Sequence, residues 1–180
     1  MPKFQNMDVW RQAEAVMQPT FIRLVANIGK HLDESTWKGQ YEDIPAWAEG
    51  IDDATKAQVM QLRDELARLN QENSPAAIAR MAEVEQMLAA LPAPYPGYQL
   101  CLSQGTHQVR VDLWELCYRI CFRDYDTESG TSRAKGFGQP ASQGVEVDAS
   151  LFDEMGEVDW DRLDAKTRQL VDQIFASLPA

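Results

Sequence analysis

"DLWELCYRICF", residues Asp112–Phe122, is the densest apolar and aromatic run of this 180-residue chain and holds two of its three cysteines. Two backbone periods fit it. As a strand, Trp114, Leu116, Tyr118, Ile120 and Phe122 line one face, and Glu115, Cys117, Arg119 and Cys121 line the other. As a helix, Asp112 and Glu115 make a capping box, and Glu115, Arg119 and Arg123 form one polar stripe. A charge spacing of four satisfies both templates. Composition tips the balance towards the strand, because the run has no alanine and is rich in Trp, Tyr, Ile and Phe. Val109, Val111 and Leu113 stand in the opposite phase to Trp114 and Leu116. We therefore read a strand bulged near Leu113, with the helix as the alternative.

The choice of period bears on chemistry. Cys101, His107, Cys117 and Cys121 form a C-x5-H-x9-C-x3-C order, four donors of the kind that hold tetrahedral zinc. Paired ligands of the C-x2-C or H-x3-H kind are absent, as is the C-x2-C of a redox pair. On a strand, Cys117 and Cys121 stand roughly 13 Å apart, too far for a disulfide. Only a helix puts both thiols on one face. These four residues are the metal or thiol candidates, and buried structural thiols are the expected use of the cysteines.

Upstream of the run, "YQLCLSQ" alternates Tyr98, Leu100 and Leu102 against Gln99, Cys101 and Ser103. With Gly105 as the turn and "HQVRV" returning, residues 98–111 read as a β-hairpin. "PAPYPGY", residues 92–98, reads as an extended linker. Before it come two apolar stripes, Val59-Leu62-Leu66-Leu69 and Ala77-Met81-Val84-Leu88-Leu91. Asp52 or Asp53 caps the first, and Ser74 followed by Pro75 opens the second. They predict an antiparallel αα-hairpin over 52–91. Met60, Ile78 and Met87 form a leftover apolar flank, for which the chain's own domain is the first expected cover and a partner the second.

Residues 33–51 lack a period but hold Trp37, Tyr41 and Trp47, which suits a loop packed down by its aromatics. At the N-terminus, Asp8 is a candidate cap for a short helix over Val9–Gln18. Pro19 then opens a second helix with an apolar face of Phe21, Leu24, Val25, Ile28 and Leu32. His31 lies in its last turn.

Downstream, Gly136-Phe137-Gly138 near Arg133 and Lys135 lacks every phosphate-loop pattern and reads as a mobile loop. "VEVDASLF" alternates as a third strand over 145–152. Eight carboxylates and one arginine occupy 146–164. The order is wrong for an EF-hand, and Asp159 reads instead as the N-cap of a final helix.

Composition bounds the function. The net charge is −11, with 14 acids against 9 bases in residues 1–91 and 14 against 8 in residues 92–180. No stretch of the sequence concentrates Lys and Arg, so nucleic acid is not an expected partner. No run approaches the ~20 apolar residues of a membrane span, so no membrane insertion is expected. An odd cysteine count without a signal-peptide core makes the cytosol the expected compartment. No G-x-S-x-G or H-E-x-x-H motif occurs, and no catalytic residue or cofactor is nominated.

Three stretches, "APYPGYQLCL", "VDLWELCYRICFRDYD" and "LFDEMGEVDW", resemble a conserved cyanobacterial family of unassigned function. The resemblance implies a cytosolic protein of a photosynthetic bacterium and carries no catalytic or binding residues with it.

The expected fold is α+β. Residues 1–91 form a helical region that includes the hairpin. Residues 92–180 form a small antiparallel β-sheet packed against a C-terminal helix, the whole making one compact domain. The expected function is a non-catalytic acidic interaction or assembly factor with a protein partner, serving a photosynthetic or bioenergetic complex. The alternative is a thiol-based metal or redox protein using Cys101, Cys117, Cys121 and His107. The third is an enzyme acting on a small substrate. The oligomeric state is left open.

Overall fold

The computed structural model describes residues 2–133 and 144–180. The fold is α+β, with a small antiparallel sheet. Helix α1 (Met7–Glu34) is followed by strand β1 (Lys38–Ala46), then by α2 (Asp53–Glu72) and α3 (Pro75–Ala89). Strands β2 (Tyr95–Gln104) and β3 (His107–Asp112) lead into α4 (Leu113–Cys121). A minimal hairpin, β4 (Tyr125–Asp126) and β5 (Thr131–Ser132), precedes the closing helix α5 (Trp160–Ala176). Two compact units result: residues 1–42 together with 98–180, and residues 43–97. The chain leaves the first unit within β1 and returns within β2.

The decisive correction concerns Asp112–Phe122, which is a helix and not a bulged strand. Asp112 accepts a hydrogen bond from the Glu115 amide at 3.1 Å, so the capping box forms. Leu113, Leu116, Cys117, Ile120 and Cys121 are all buried, and their 3-1-3-1 spacing is one helical face. Trp114, Tyr118 and Arg119 turn outward. The β-propensity of the aromatics lost because local preference spans only about 1 kcal/mol. Full burial of each large apolar side chain is worth about 1.5–3 kcal/mol. Helical winding buries five apolar positions in nine residues against α1 and α5.

Two expected helices at the N-terminus are one. Helix α1 runs through Pro19, which deprives one carbonyl of its partner. The loss, about 3 kcal/mol in an isolated helix, is offset by burial of Val16, Thr20, Leu24 and Ile28 along one face. Asn6, not Asp8, is the N-cap: its side chain accepts from the Asp8 and Val9 amides at 3.0 Å. Helix α5 begins as expected at Asp159, which accepts from the Arg162 amide. Its most extensive packing is against α1. Arg23 and Asn27 of α1 meet Asp164 of α5 at 2.6–3.0 Å.

The sheet has the order β1-β2-β3. β2 and β3 pair antiparallel, with Leu100 opposite Val111 and Gln104 opposite His107, and Gly105 at φ +57° supports the turn. The hairpin expected over 98–111 is therefore present, but β2 starts earlier, inside the "PAPYPGY" linker. The expected loop over 33–51 also contains a strand, β1. The stretch 145–152 is not a strand. It makes two isolated bridges, Val147 to Phe122 and Phe152 to Val158, on either side of a 3-10 turn over Ala149–Leu151. The Gly136-Phe137-Gly138 motif lies outside the described residues.

In the second unit the αα-hairpin is as expected. Asp52 caps α2 and Ser74 caps α3, with Pro75 in its first turn. Val59 and Leu62 of α2, and Ala77 and Val84 of α3, are buried. Asn73 takes the left-handed conformation (φ 52°) that turns the chain between them. Of the leftover flank, Ile78 and Met87 stay exposed.

Candidate functional site

The fold scatters the four metal or thiol candidates. Cys101 sits on β2, and its thiol donates to the Glu42 carboxylate at 3.2 Å. Partial burial and that carboxylate push its pKa above the ordinary thiol value. His107 opens β3 and is exposed. Cys117 and Cys121 share the inner face of α4, each essentially without solvent contact. Helical winding thus places the two thiols on one side, yet in the interior. Burial pushes the pKa of Cys121 up to about 11, and Cys117 is raised further by burial and by its thiol neighbour. Both are thiols at neutral pH, poor nucleophiles and poor ligands. Among the described residues, no three His, Cys, Asp or Glu side chains converge on a point where a metal ion would sit.

The outward face of α4 is more informative. Trp114 stacks on Phe21 of α1, with ring centroids 5.5 Å apart and planes at 26°. Along α1, Trp10, Glu14, Met17 and Phe21 follow a 4-3-4 spacing and flank the buried Ala13. Phe4 closes the far side. Its position is set by backbone bonds on either side of the preceding residue: the Lys3 amide donates to Gly130, and the Val145 amide donates to Lys3. Phe4 also makes an edge-on contact with Phe122, at 6.1 Å. These residues enclose an open groove of about 380 Å³. That is the lower end of the about 300–1,000 Å³ that binding pockets span.

Trp10 is 40% exposed and Phe4 37%, values unusual for side chains with so much apolar surface to hide. Met7, one turn before Trp10, is 60% exposed and extends the patch. Among the described residues, Glu14 is the groove's one formal charge and no cation pairs with it. The chemistry on offer is therefore apolar and aromatic contact around a single carboxylate. Ring faces and a carboxylate both favour a cation, the rings through their quadrupoles.

Sequence reading missed this groove because it broke α1 at Pro19. The break cut the Trp10-Met17-Phe21 stripe in two and left Trp10 and Met17 in a short separate helix. The strand reading likewise put Trp114 in the core. The available signal was the 4-3-4 spacing running straight through the proline. Comparison with protein-family models, curated proteins and solved structures finds no match to this chain.

Proposed function

We propose that the protein is a non-catalytic interaction factor whose groove docks a cationic amphipathic segment of a partner protein. The observation that carries this reading is the exposed aromatic groove between α1 and α4, with Glu14 unpaired among the described residues. Exposed apolar patches rimmed by polar residues mark interaction surfaces. Tryptophan and tyrosine-class anchors in pockets commonly dominate such binding. The fitting ligand is a short segment with an apolar side chain for the groove and a Lys or Arg for Glu14. A net charge of −11 supports the choice, since it accelerates encounter with a basic partner and discourages acidic ones.

The resemblance noted in the sequence makes the cytosolic face of a photosynthetic or bioenergetic complex the first place to seek that partner. Among the described residues, no helix is long and apolar enough to cross a membrane. A thiol-based function is less well supported, because the four candidate residues are not assembled.

The test is an unbiased peptide selection against the folded protein, followed by titration monitored by tryptophan fluorescence. Selected peptides should combine an aliphatic or aromatic anchor with Lys or Arg within one helical turn. Trp10→Ser and Glu14→Gln should each weaken binding about tenfold, the loss expected from one anchor or one charge-assisted contact. Peptides without basic residues, or affinities unchanged in both variants, would refute the reading.

A further inference from the structure

The other end of α4 opens on a second, charged cleft. Arg119 lies in the last turn of the helix and Arg123 just past its end. With Tyr125 and Lys166 they line a cavity of about 340 Å³. Lys166 is already anchored: it donates to the Ile120 carbonyl at 2.5 Å and to Asp148 Oδ2 at 2.6 Å. The other oxygen of Asp148 accepts from the Ser150 amide at 3.0 Å and from its hydroxyl at 2.7 Å. Asp148 is thus fully engaged and its charge is balanced by Lys166, whose ammonium keeps a third donor uncommitted among the described residues.

Arg119 and Arg123 differ from that pair. Neither guanidinium makes an ion pair or side-chain hydrogen bond among the described residues. In a chain with 28 acids and 17 bases, two neighbouring arginines have been left without carboxylate partners in a concave surface. Asp124 is the remaining carboxylate of this cavity. Its backbone takes a left-handed turn (φ 45°), and the residues on either side, Arg123 and Tyr125, both line the cleft.

A second cavity of about 530 Å³ shares Arg119, Asp124 and Tyr125 with the first and adds Asp126, Glu128 and Arg133. Its acids outnumber its bases, whereas the first cavity carries an excess of positive charge. The polarity is modest, one net positive charge among the residues lining the first cavity and one net negative charge among those lining the second, where Arg133 stands 3.9 Å from Asp126 and Glu128 has no cation partner among the described residues. The chain's distant acids weigh little here, because charges beyond about 8 Å are largely screened at physiological salt.

We infer that this cleft binds a small phosphate-bearing ligand, with the phosphate on Arg119 and Arg123 and a cationic or hydroxylated remainder towards Glu128. Two guanidiniums offer the planar donor pairs that suit phosphate oxygens, and Tyr125 adds a phenolic donor. The site is separate from the aromatic groove and does not depend on a partner protein.

Two probes separate free phosphate from a phosphomonoester: inorganic phosphate, and phosphoethanolamine, which pairs a phosphate with an ammonium. Binding to the full chain is followed by NMR shift changes at constant ionic strength. Saturable binding of either probe is expected, centred on Arg119, Arg123 and Tyr125, with at least a tenfold loss in the Arg119→Gln/Arg123→Gln double variant. Tighter binding of phosphoethanolamine assigns the anionic end to the ligand's amine, and equal affinity assigns the site to phosphate alone. Both arginines are exposed, so the variant keeps the core, and its circular dichroism checks this. No saturable shift with either probe, or an unchanged affinity in the double variant, overturns the assignment.

Discussion

The hydroxyl of Thr20 lies 3.2 Å from the sulfur of Cys121 and 2.7 Å from the Val16 carbonyl, to which it donates. A hydroxyl has one proton to give, so in this pair the thiol is the donor and Thr20 the acceptor. Burial pushes the Cys121 thiol up to about 11, against smaller lowering contributions from the Thr20 contact and from Lys166.

Thiol reactivity follows from burial. An aromatic disulfide reagent at pH 8 should label Cys101 slowly and leave Cys117 and Cys121 untouched. All three should react in guanidinium. Labelling of Cys121 in the native protein at the unfolded rate would contradict its burial. Thr20→Val removes the acceptor and should cost about 1–2 kcal/mol in denaturant unfolding.

The helical period of α4 has its own test. Cys117 faces the core, so Cys117→Asp should cost several kcal/mol or abolish folding, as buried unpaired charges do. On the strand expected from composition, the same change would face outward and be tolerated. Asp112→Ala, which removes the N-cap, should cost about 1 kcal/mol. Denaturation midpoints with unchanged slopes would measure both.

Acid stability should report on the tie between α1 and α5. Burial alone would raise the Asp164 carboxyl, but hydrogen bonds from Asn27, Arg23 and Arg168 lower it from 3.8 to about 2. A carboxyl depressed in the folded state stabilises above its unfolded value and loses that contribution as pH falls through the folded one. The contribution, about 2 kcal/mol, is complete above pH ~5 and fades between pH ~4 and ~2. In Asp164→Asn the stability difference from wild type should therefore shrink across that window. A difference independent of pH would show that the carboxylate charge is not what matters.

Packing and surface charge in the αα-hairpin should separate cleanly. Val84 is fully buried, and Val84→Ala should cost roughly 2 kcal/mol. Arg80 bonds Glu65 at 2.8 Å and Glu83 at 2.9 Å, but it does so at the surface. Arg80→Ala should therefore have much the smaller effect, and one that vanishes in high salt. Urea unfolding of both variants at low and high salt tests the ranking.

Elements whose signals are local are legible in the sequence. Ser74-Pro75, Asp52 and Asp159 announce helix starts because a capping side chain bonds an amide two or three residues away. The stripes of α2 and α3 are long enough for their period to be unambiguous. The signal fails where a segment is short or carries both periods. Residues 113–121 are nine positions whose charges fit either template, and Pro19 is a local stop signal that tertiary burial overrides. The candidate site suffers most. Its aromatic wall combines Phe4, one face of α1 and one residue of α4, and no sequence window contains all three.

Sequence alone determined the α+β class, the hairpin arm, the acidic charge and the caps of α2, α3 and α5, because each rests on neighbours within a few residues or on composition. Tertiary structure alone decided the winding of "DLWELCYRICF", since only the presence of α1 and α5 makes five buried positions worth more than β-propensity. That decision sent Cys117 and Cys121 into the core, where burial keeps them as thiols. It also turned Trp114 and Arg119 outward, to the aromatic groove and the charged cleft.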